Sequence, residues 1–331
     1  VNISPYGKGR INETFLVRTL SKNGEKDKDR KYILQRLHKI LNVEVLKDID
    51  VITNRLDEVG ITTPKLVGTK TGELGINSGR DSWRMLTYIP GKTFEKGITK
   101  QMAENAAALI GRFHDALVGL DYEFLHKTPN FHDTPAILDR LNNTSFRFQN
   151  TDKYEILSPL IDRVLVEYEK SNNSFQKLPD RIIHGDLKIN NIRFDQKGRI
   201  ALALLDLDTL GRDKIIIDIG DAVRSWCSND EGNAIFDLEI FEKMMSGYLS
   251  TAKFITREEK ESIPEGIVMM ILELSARYIT DAFEESYFKL DTESYPNLYE
   301  QNKSKAVFQM LFYDDFQKKR RRIDQVIKRY L

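Results

Sequence analysis

The chain is short of several things, and each shortage excludes something. It has a single cysteine, Cys227, so no internal disulfide can staple it. That thiol reads as a packed side chain of a reducing compartment, since no histidine nearby would make it a nucleophile. No run of about 18 apolar residues is present, so no transmembrane helix is expected. No signal-peptide pattern is present either. The 50 basic and 50 acidic side chains cancel, so the basic excess of a general nucleic-acid binder is missing. There is no internal repeat and no low-complexity linker. The expectation is a cytoplasmic protein with neither nucleic acid nor membrane as a partner. What is there is ordinary globular material: 331 residues, 40% hydrophobic and 30% charged, enough for one large domain or two lobes.

The patterning changes near residue 90. Before it, "TFLVRTL" (14–20) and "KYILQRL" (31–37) flank a charged loop (21–30) and read as strand, turn, strand. Val45, Ile49, Ile52 and Leu56 form a helical stripe within 42–60, closed by Gly60. "TPKLVGT" (63–69) and "SWRMLTYI" (82–89) read as two further strands. After "PGKT" (90–93) the chain turns helical, with amphipathic stretches over 101–117 and 153–170 and from about 232 to the end. Two short apolar strands around a Gly198 turn are embedded between them. The expected fold is therefore α+β in two lobes: a β-rich lobe over 1–90 and a mainly helical lobe with an embedded hairpin over 91–331.

The hairpin carries the chemistry. "IIHGDLKINNIRFD" (182–195) is followed, twenty residues after Asp186, by "LLDLD" (204–208). His184, Asp186, Leu187 and Asn191 fit the kinase catalytic-loop pattern H-R-D-L-x-x-x-N, and Asp206 stands where its second aspartate belongs. Phosphoryl transfer needs little covalent work from a protein. It needs one carboxylate beside the attacking hydroxyl, for which Asp186 is the candidate. It also needs oxygen ligands for hard Mg²⁺, for which Asn191 and Asp206 are candidates. "SPYGKGRINETFLV" (4–17) is a glycine-containing turn entering a strand; Gly7 and Gly9 could let main-chain amides approach phosphates, while Asn12 fills the third glycine position. No lysine sits mid-strand in "YILQRL", so Arg36 is the candidate cation for the ATP phosphates. No glutamate of the following helix offers it an ion pair. Thr87, Tyr88 and Ile89 form the connection between lobes, where backbone can hydrogen-bond adenine. "KKRRR" (318–322) lies on a helix whose apolar residues would face inward, so it reads as a solvated basic face.

"HGDLKINN", "LLDLDT" and "DIGDAVR" (218–224) together resemble the aminoglycoside phosphotransferase/choline kinase superfamily of small-molecule kinases. Gly185 in place of an arginine, and no Ala-Pro-Glu after Asp206, set the chain apart from protein kinases. Within the superfamily, "GRINETFLVRT" (9–19), "YILQRL" (32–37), "ELSARYITD" with "SYF" (273–288) and "YPN" (295–297) resemble the N-acetylhexosamine 1-kinases. That resemblance implies ATP and Mg²⁺ as cofactors, an amino sugar as acceptor, a sugar 1-phosphate as product and a place in carbohydrate metabolism. It implies Asp186 as the base, with His184, Asp208 and Asp218 in support. It implies Arg277 and Tyr287 at the sugar, with Arg10 and Glu13 as further candidates; these last two depart from the histidine and aspartate of that family. Two readings stay open beside it. The acceptor could be an aminoglycoside, homoserine or choline; choline would need an aromatic cage, and Trp83 and Trp226 are the only tryptophans. Or the chain could be a nucleotide-binding pseudokinase module.

Overall fold

Alternating β-branched and aromatic residues at the N-terminus pair up as the pattern predicts. The computed structural model describes residues 1–7, 12–19, 30–38, 43–79, 81–128, 131–171, 173–228 and 234–331. Gly9, Arg10 and most of the charged loop 21–30 lie outside these. Strands β1 (Asn2–Pro5), β2 (Glu13–Thr19), β3 (Arg30–Arg36), β4 (Ile76–Ser78) and β5 (Asp81–Thr87) form an antiparallel sheet in the order β1-β2-β3-β5-β4. Helix α1 (Val45–Glu58) follows β3 and buries Val45, Ile49, Ile52 and Leu56, the stripe read from the sequence.

One expected strand is absent. Segment 63–69 makes only an isolated bridge, Leu66 to Leu86. Pro64 lacks an amide to give to a ladder, and the chain turns back through Thr69–Gly72. Residues 76–78 pair with β5 instead.

The chain then enters the helical part. Here α2 (Lys100–Leu117), α3 (Thr134–Arg147), α4 (Asp152–Lys170), α5 (Ile215–Trp226), α6 (Leu238–Thr251), α7 (Arg257–Glu261), α8 (Ile263–Glu284) and α9 (Leu298–Lys328) pack around one apolar core. Their starts carry caps: Thr99 accepts from the Met102 amide at 3.2 Å, and Asn297 of the "YPN" segment accepts from Glu300 at 2.8 Å. Two glycines set how closely α5 and α8 cross. A Cβ on Gly220 would lie 2.4 Å from the Gly266 carbonyl oxygen, and one on Gly266 would lie 2.2 Å from that of Ile216. This contact fixes α8 against α5, the helix that packs on the paired strands Asp180–Ile183 and Gly211–Lys214.

Two small antiparallel ladders hold the hairpin: β6 (Asp180–Ile183) with β9 (Gly211–Lys214), and β7 (Ile192–Phe194) with β8 (Ala201–Leu204). The connection between lobes is stitched to it. Lys92 and Phe194 exchange both backbone hydrogen bonds, at 2.9 and 2.8 Å. On α9, Phe316, Ile323, Val326 and Ile327 are buried. Of the basic run, Lys319 pairs with Asp315 at 2.5 Å, and Arg320 pairs with Glu265 and Asp324. Among the described residues no helix is long and apolar enough to cross a membrane. Cys227 is buried, and burial pushes its thiol pKa up.

Candidate active site

The catalytic-loop segment is held from below by α5. Asp218 is fully buried and accepts the backbone N–H groups of His184 at 2.6 Å and Gly185 at 2.7 Å. His114 Nε2 lies 3.0 Å from the same carboxylate, and its Nδ1 lies 3.0 Å from the Tyr248 hydroxyl. Burial alone would raise the Asp218 pKa; the hydrogen bonds from His114 and the His184 amide pull it below the ordinary range. His184 Nδ1 accepts from the Asp186 amide at 3.3 Å, so Nε2 donates to the Leu205 carbonyl at 2.9 Å. Gly185 has φ +83, and a Cβ there would meet the Thr209 carbonyl oxygen at 2.5 Å, so an arginine has no room in this loop. Trp226 is 1% exposed and donates to the Leu187 carbonyl at 2.9 Å. It is a prop under the loop, and no cage wall can be made from it.

Above that base three polar groups converge. Asn191 Nδ2 donates to the Asp186 carbonyl at 2.8 Å and to its Oδ2 at 3.1 Å. With the amide nitrogen spent there, Asn191 Oδ1 is the atom left for a cation. The Leu205 amide donates to the Asn191 carbonyl at 2.8 Å, which brings Asp206 to the same end of the hairpin. Asp206 adopts φ 60, ψ 63, a left-handed conformation that aspartate tolerates; the residue as a whole is exposed, but protein atoms crowd around its carboxylate. Enclosure among protein atoms, then repulsion from Asp208 and Asp186, raises its pKa to about 7. Lys188 forms an ion pair with Asp186. Burial works against the lysine charge, but Asp186 in contact, and Asp206 and Asp221 beyond it, hold its pKa above the ordinary value.

This donor set fits a divalent ion that arrives with phosphates. Among the described residues no three His, Cys, Asp or Glu side chains group to hold a metal by themselves. Asn191 and Asp206 offer two hard oxygens, and Mg²⁺ ordinarily takes one or two carboxylates plus phosphate and water. A raised carboxylate pKa between two like charges is relieved by a cation.

Asp208 is a hub that couples the sheet to the hairpin. It is 6% exposed and forms a bidentate ion pair with Arg84 of β5, the Nη2–Oδ2 distance being 2.9 Å. It also accepts from Asn12 Nδ2 at 2.7 Å, while Asn12 Oδ1 takes the His38 amide at 2.9 Å. Gln35 Oε1 accepts from Arg84 Nε at 2.9 Å.

Arg36 lies on the opposite face of the sheet, with half-buried Phe15, Leu34 and Met85, and pairs with Glu13 and Asp81. Glu13, expected at the sugar, is thus engaged on the sheet. The Thr87 amide, expected free for adenine, is committed to the Lys65 carbonyl at 2.8 Å, which leaves the backbone of Tyr88 and Ile89 for that purpose.

The expected sugar side is brought together on α8. Arg277 donates to the Tyr287 hydroxyl at 2.6 Å, with its guanidinium 5.1 Å from the ring centroid. Arg277 also lies 3.7 Å from Glu273, which is fully buried. Glu273 takes Thr134 at 3.2 Å and His132 Nδ1 at 3.1 Å, and His132 Nε2 donates to the Gly185 carbonyl at 2.7 Å. Burial opposes the His132 charge, but Glu273 raises its pKa to about 9. Lys188, Arg84, Asn12 and His132 were all missed from the sequence. Only Lys188 had a signal, inside the loop motif itself. A cavity of about 530 Å³ lies elsewhere, lined by Arg163, Glu167, Tyr313 and Arg320 among others, and none of the residues above reaches it.

A sheet-rich lobe over a helical lobe, with this loop and hairpin between, is the kinase-like architecture. Residues 2–244 match the phosphotransferase enzyme family APH, and the chain belongs to that family. Solved structures agree on the fold. An aminoglycoside phosphotransferase from Alicyclobacillus acidocaldarius is similar with a TM-score of 0.67 at 12% identity, over 97% of this chain and 92% of that one. A microcompartment-associated aminopropanol kinase gives 0.62 at 16%, over 96% and 92%. A choline kinase from Cryptosporidium parvum gives 0.58 at 14%, over 98% and 91%.

Proposed function

We propose that this phosphotransferase uses ATP and Mg²⁺ to phosphorylate the anomeric hydroxyl of an N-acetylhexosamine, N-acetylglucosamine or N-acetylgalactosamine, giving the sugar 1-phosphate. The observation that carries the reading is a continuous polar wall. It runs from Tyr287 through Arg277, Glu273 and His132 to the Gly185 carbonyl, and so ends beside Asp186. Buried Glu273 and His132 anchor the wall, so that its open end, Arg277 and Tyr287, is the part left to meet sugar hydroxyls.

Asp186 is the group that accepts the proton of the attacking hydroxyl. Asn191 fixes its carboxylate, and Lys188 supplies positive charge where the transferred phosphoryl would pass. Asn191 Oδ1 and Asp206 would hold the divalent ion, which when bound neutralises charge on the phosphates. The turn at Gly7 and the backbone of Tyr88 and Ile89 form the nucleotide side, and Arg36, tied to Glu13 and Asp81 on the other face of the sheet, is left out of it. Use of nucleotide and divalent cation is further supported by the similar amicoumacin kinase hAmiN, solved in complex with AMP-PNP and Ca²⁺. Asp218 and His184 keep the loop in place. Arg277 and Tyr287 face the sugar.

ADP release with Mg-ATP across N-acetylglucosamine, N-acetylgalactosamine, glucosamine, kanamycin, choline and homoserine tests the reading. Turnover confined to N-acetylated hexosamines, with phosphate on the anomeric oxygen, is the expected result. Turnover on kanamycin, choline or homoserine alone would keep the family and discard the sugar.

A further inference from the structure

A buried carboxylate oxygen near the site has no partner among the described residues. Asp221 sits on α5 one turn beyond Asp218, on the face turned toward the catalytic loop. Trp226, further along the same helix, touches the loop at Leu187, so Asp221 lies between two fixed points under residues 184–187. Asp221 is 5% exposed. Arg224 contacts it twice, through Nε at 3.2 Å and Nη2 at 2.7 Å, and both contacts fall on Oδ1. Its Oδ2 is buried with no hydrogen-bond partner among the described residues. Leaving a carboxylate oxygen dry and unpaired is costly, so such an atom calls for an occupant.

We propose that Asp221 recognises the acceptor: its Oδ2 takes a hydrogen bond from a hydroxyl of a neutral, hydroxyl-rich molecule seated beside Asp186, over the face of α5 that carries Asp221. This rests on the reading of the chain as a kinase of small hydroxyl acceptors. The charge around the seat decides the class. Asp186, Asp221 and Glu273 supply negative charge, while Lys188, Arg224, Arg277 and His132 supply positive charge. His132 and Lys188 both feel Asp221, which places it within reach of this cluster. Each of these three carboxylates is already paired with a cation, so a polycation gains little from them. A neutral polyol does, because its hydroxyls can give to Asp221 and receive from the arginines.

The test is steady-state kinetics of the full chain and of Asp221→Asn, with Mg-ATP, on the acceptor panel and on singly deoxygenated N-acetylglucosamines. A hydrogen bond to a charged group is expected to make the acceptor KM rise ~10-fold or more in Asp221→Asn. The KM for ATP should stay put. One deoxy sugar should show the same rise with the wild type and none beyond it with the variant, since the two changes remove one contact. An unchanged acceptor KM in folded Asp221→Asn would overturn the inference and leave Oδ2 to a water or to Arg224 alone. If Asp221→Asn does not fold, the wild type decides, and a deoxy series in which no position matters overturns it equally. Wild type active on kanamycin or choline but silent on the N-acetylhexosamines would instead sink the proposed function itself.

Discussion

Asp186 has its Oδ2 engaged by both Lys188 and Asn191. An oxygen fixed from two sides cannot rotate away from an incoming hydroxyl, which is what a general base needs. Asp186→Asn keeps the shape and loses the basicity. We expect kcat to fall by ~10²–10⁴-fold with the ATP KM little changed. A variant with near-normal turnover would remove Asp186 from the base role. This residue was legible because its motif is local: five residues separate it from Asn191, and the next strand of one hairpin delivers Asp206. Arg84 was not legible. Its partner Asp208 is 124 residues away, and it stands on β5, where no motif asks for a cation. The sequence pointed to β3, and Arg36 there is tied to Glu13 on the other face.

Helix α8 carries a polar stripe most of whose partners its own spacing does not reveal. Glu273, Arg277, Asp281 and Glu284 make a stripe that spacing alone reads as solvated or self-paired. Instead Glu273 and Asp281 are buried. Asp281 accepts the amides of Ser286, Tyr287 and Phe288 and so folds the chain back after the helix. Glu284 takes Arg140, Arg147 and Thr144 of α3. Partners distant in sequence absorb the stripe, and periodicity does not reveal them. The buried Glu273–His132 pair has a pH signature. The folded-state pKa of His132, about 9, exceeds its ordinary 6.5. Its stabilising contribution is therefore fully present below pH 6.5 and is lost as pH rises through 9, and it amounts to at most ~3 kcal/mol. Urea unfolding should show wild-type stability falling over that window and His132→Gln lacking the fall; parallel curves would refute the assignment. The crossing with α5 gives a second test. Gly266→Ala gains ~1 kcal/mol of helix propensity but drives a Cβ into the Ile216 backbone, an overpacking that costs ~1–3 kcal/mol. Backbone yields less readily than a side chain, so the clash should win. The melting temperature should drop, and an unchanged value would mean that the helices separate freely.

The two lobes meet along a buried seam, where α1 shares the apolar core with α2 and Asp48 accepts the Tyr122 hydroxyl and the Leu125 and His126 amides, and they meet again where the sheet reaches the hairpin. The connection is sewn to the hairpin at Lys92 and Phe194. The sheet itself is tied to the hairpin by Arg84 on Asp208, with Asn12 joining the start of β2 to the same carboxylate. Two residues before Asp208 stands Asp206, the proposed ion ligand, so sheet position and ligand position are linked through one turn. A buried ion pair contributes little net stability when both partners are present, because desolvation offsets the attraction. Breaking it is another matter. Asp208→Ala strands a guanidinium that is 3% exposed, and ~3–5 kcal/mol should be lost. Replacing both, as Arg84→Met with Asp208→Leu, should restore most of that stability, since no charge is left unpaired. It should not restore the ATP KM, because the polar tie between the sheet and the turn that carries Asp206 is then gone, although α1 still packs on α2. Chemical denaturation and ATP kinetics on the three proteins separate the two effects. A double variant that recovers stability and ATP affinity together would show that the pair is mere packing and that the lobes find their register without it.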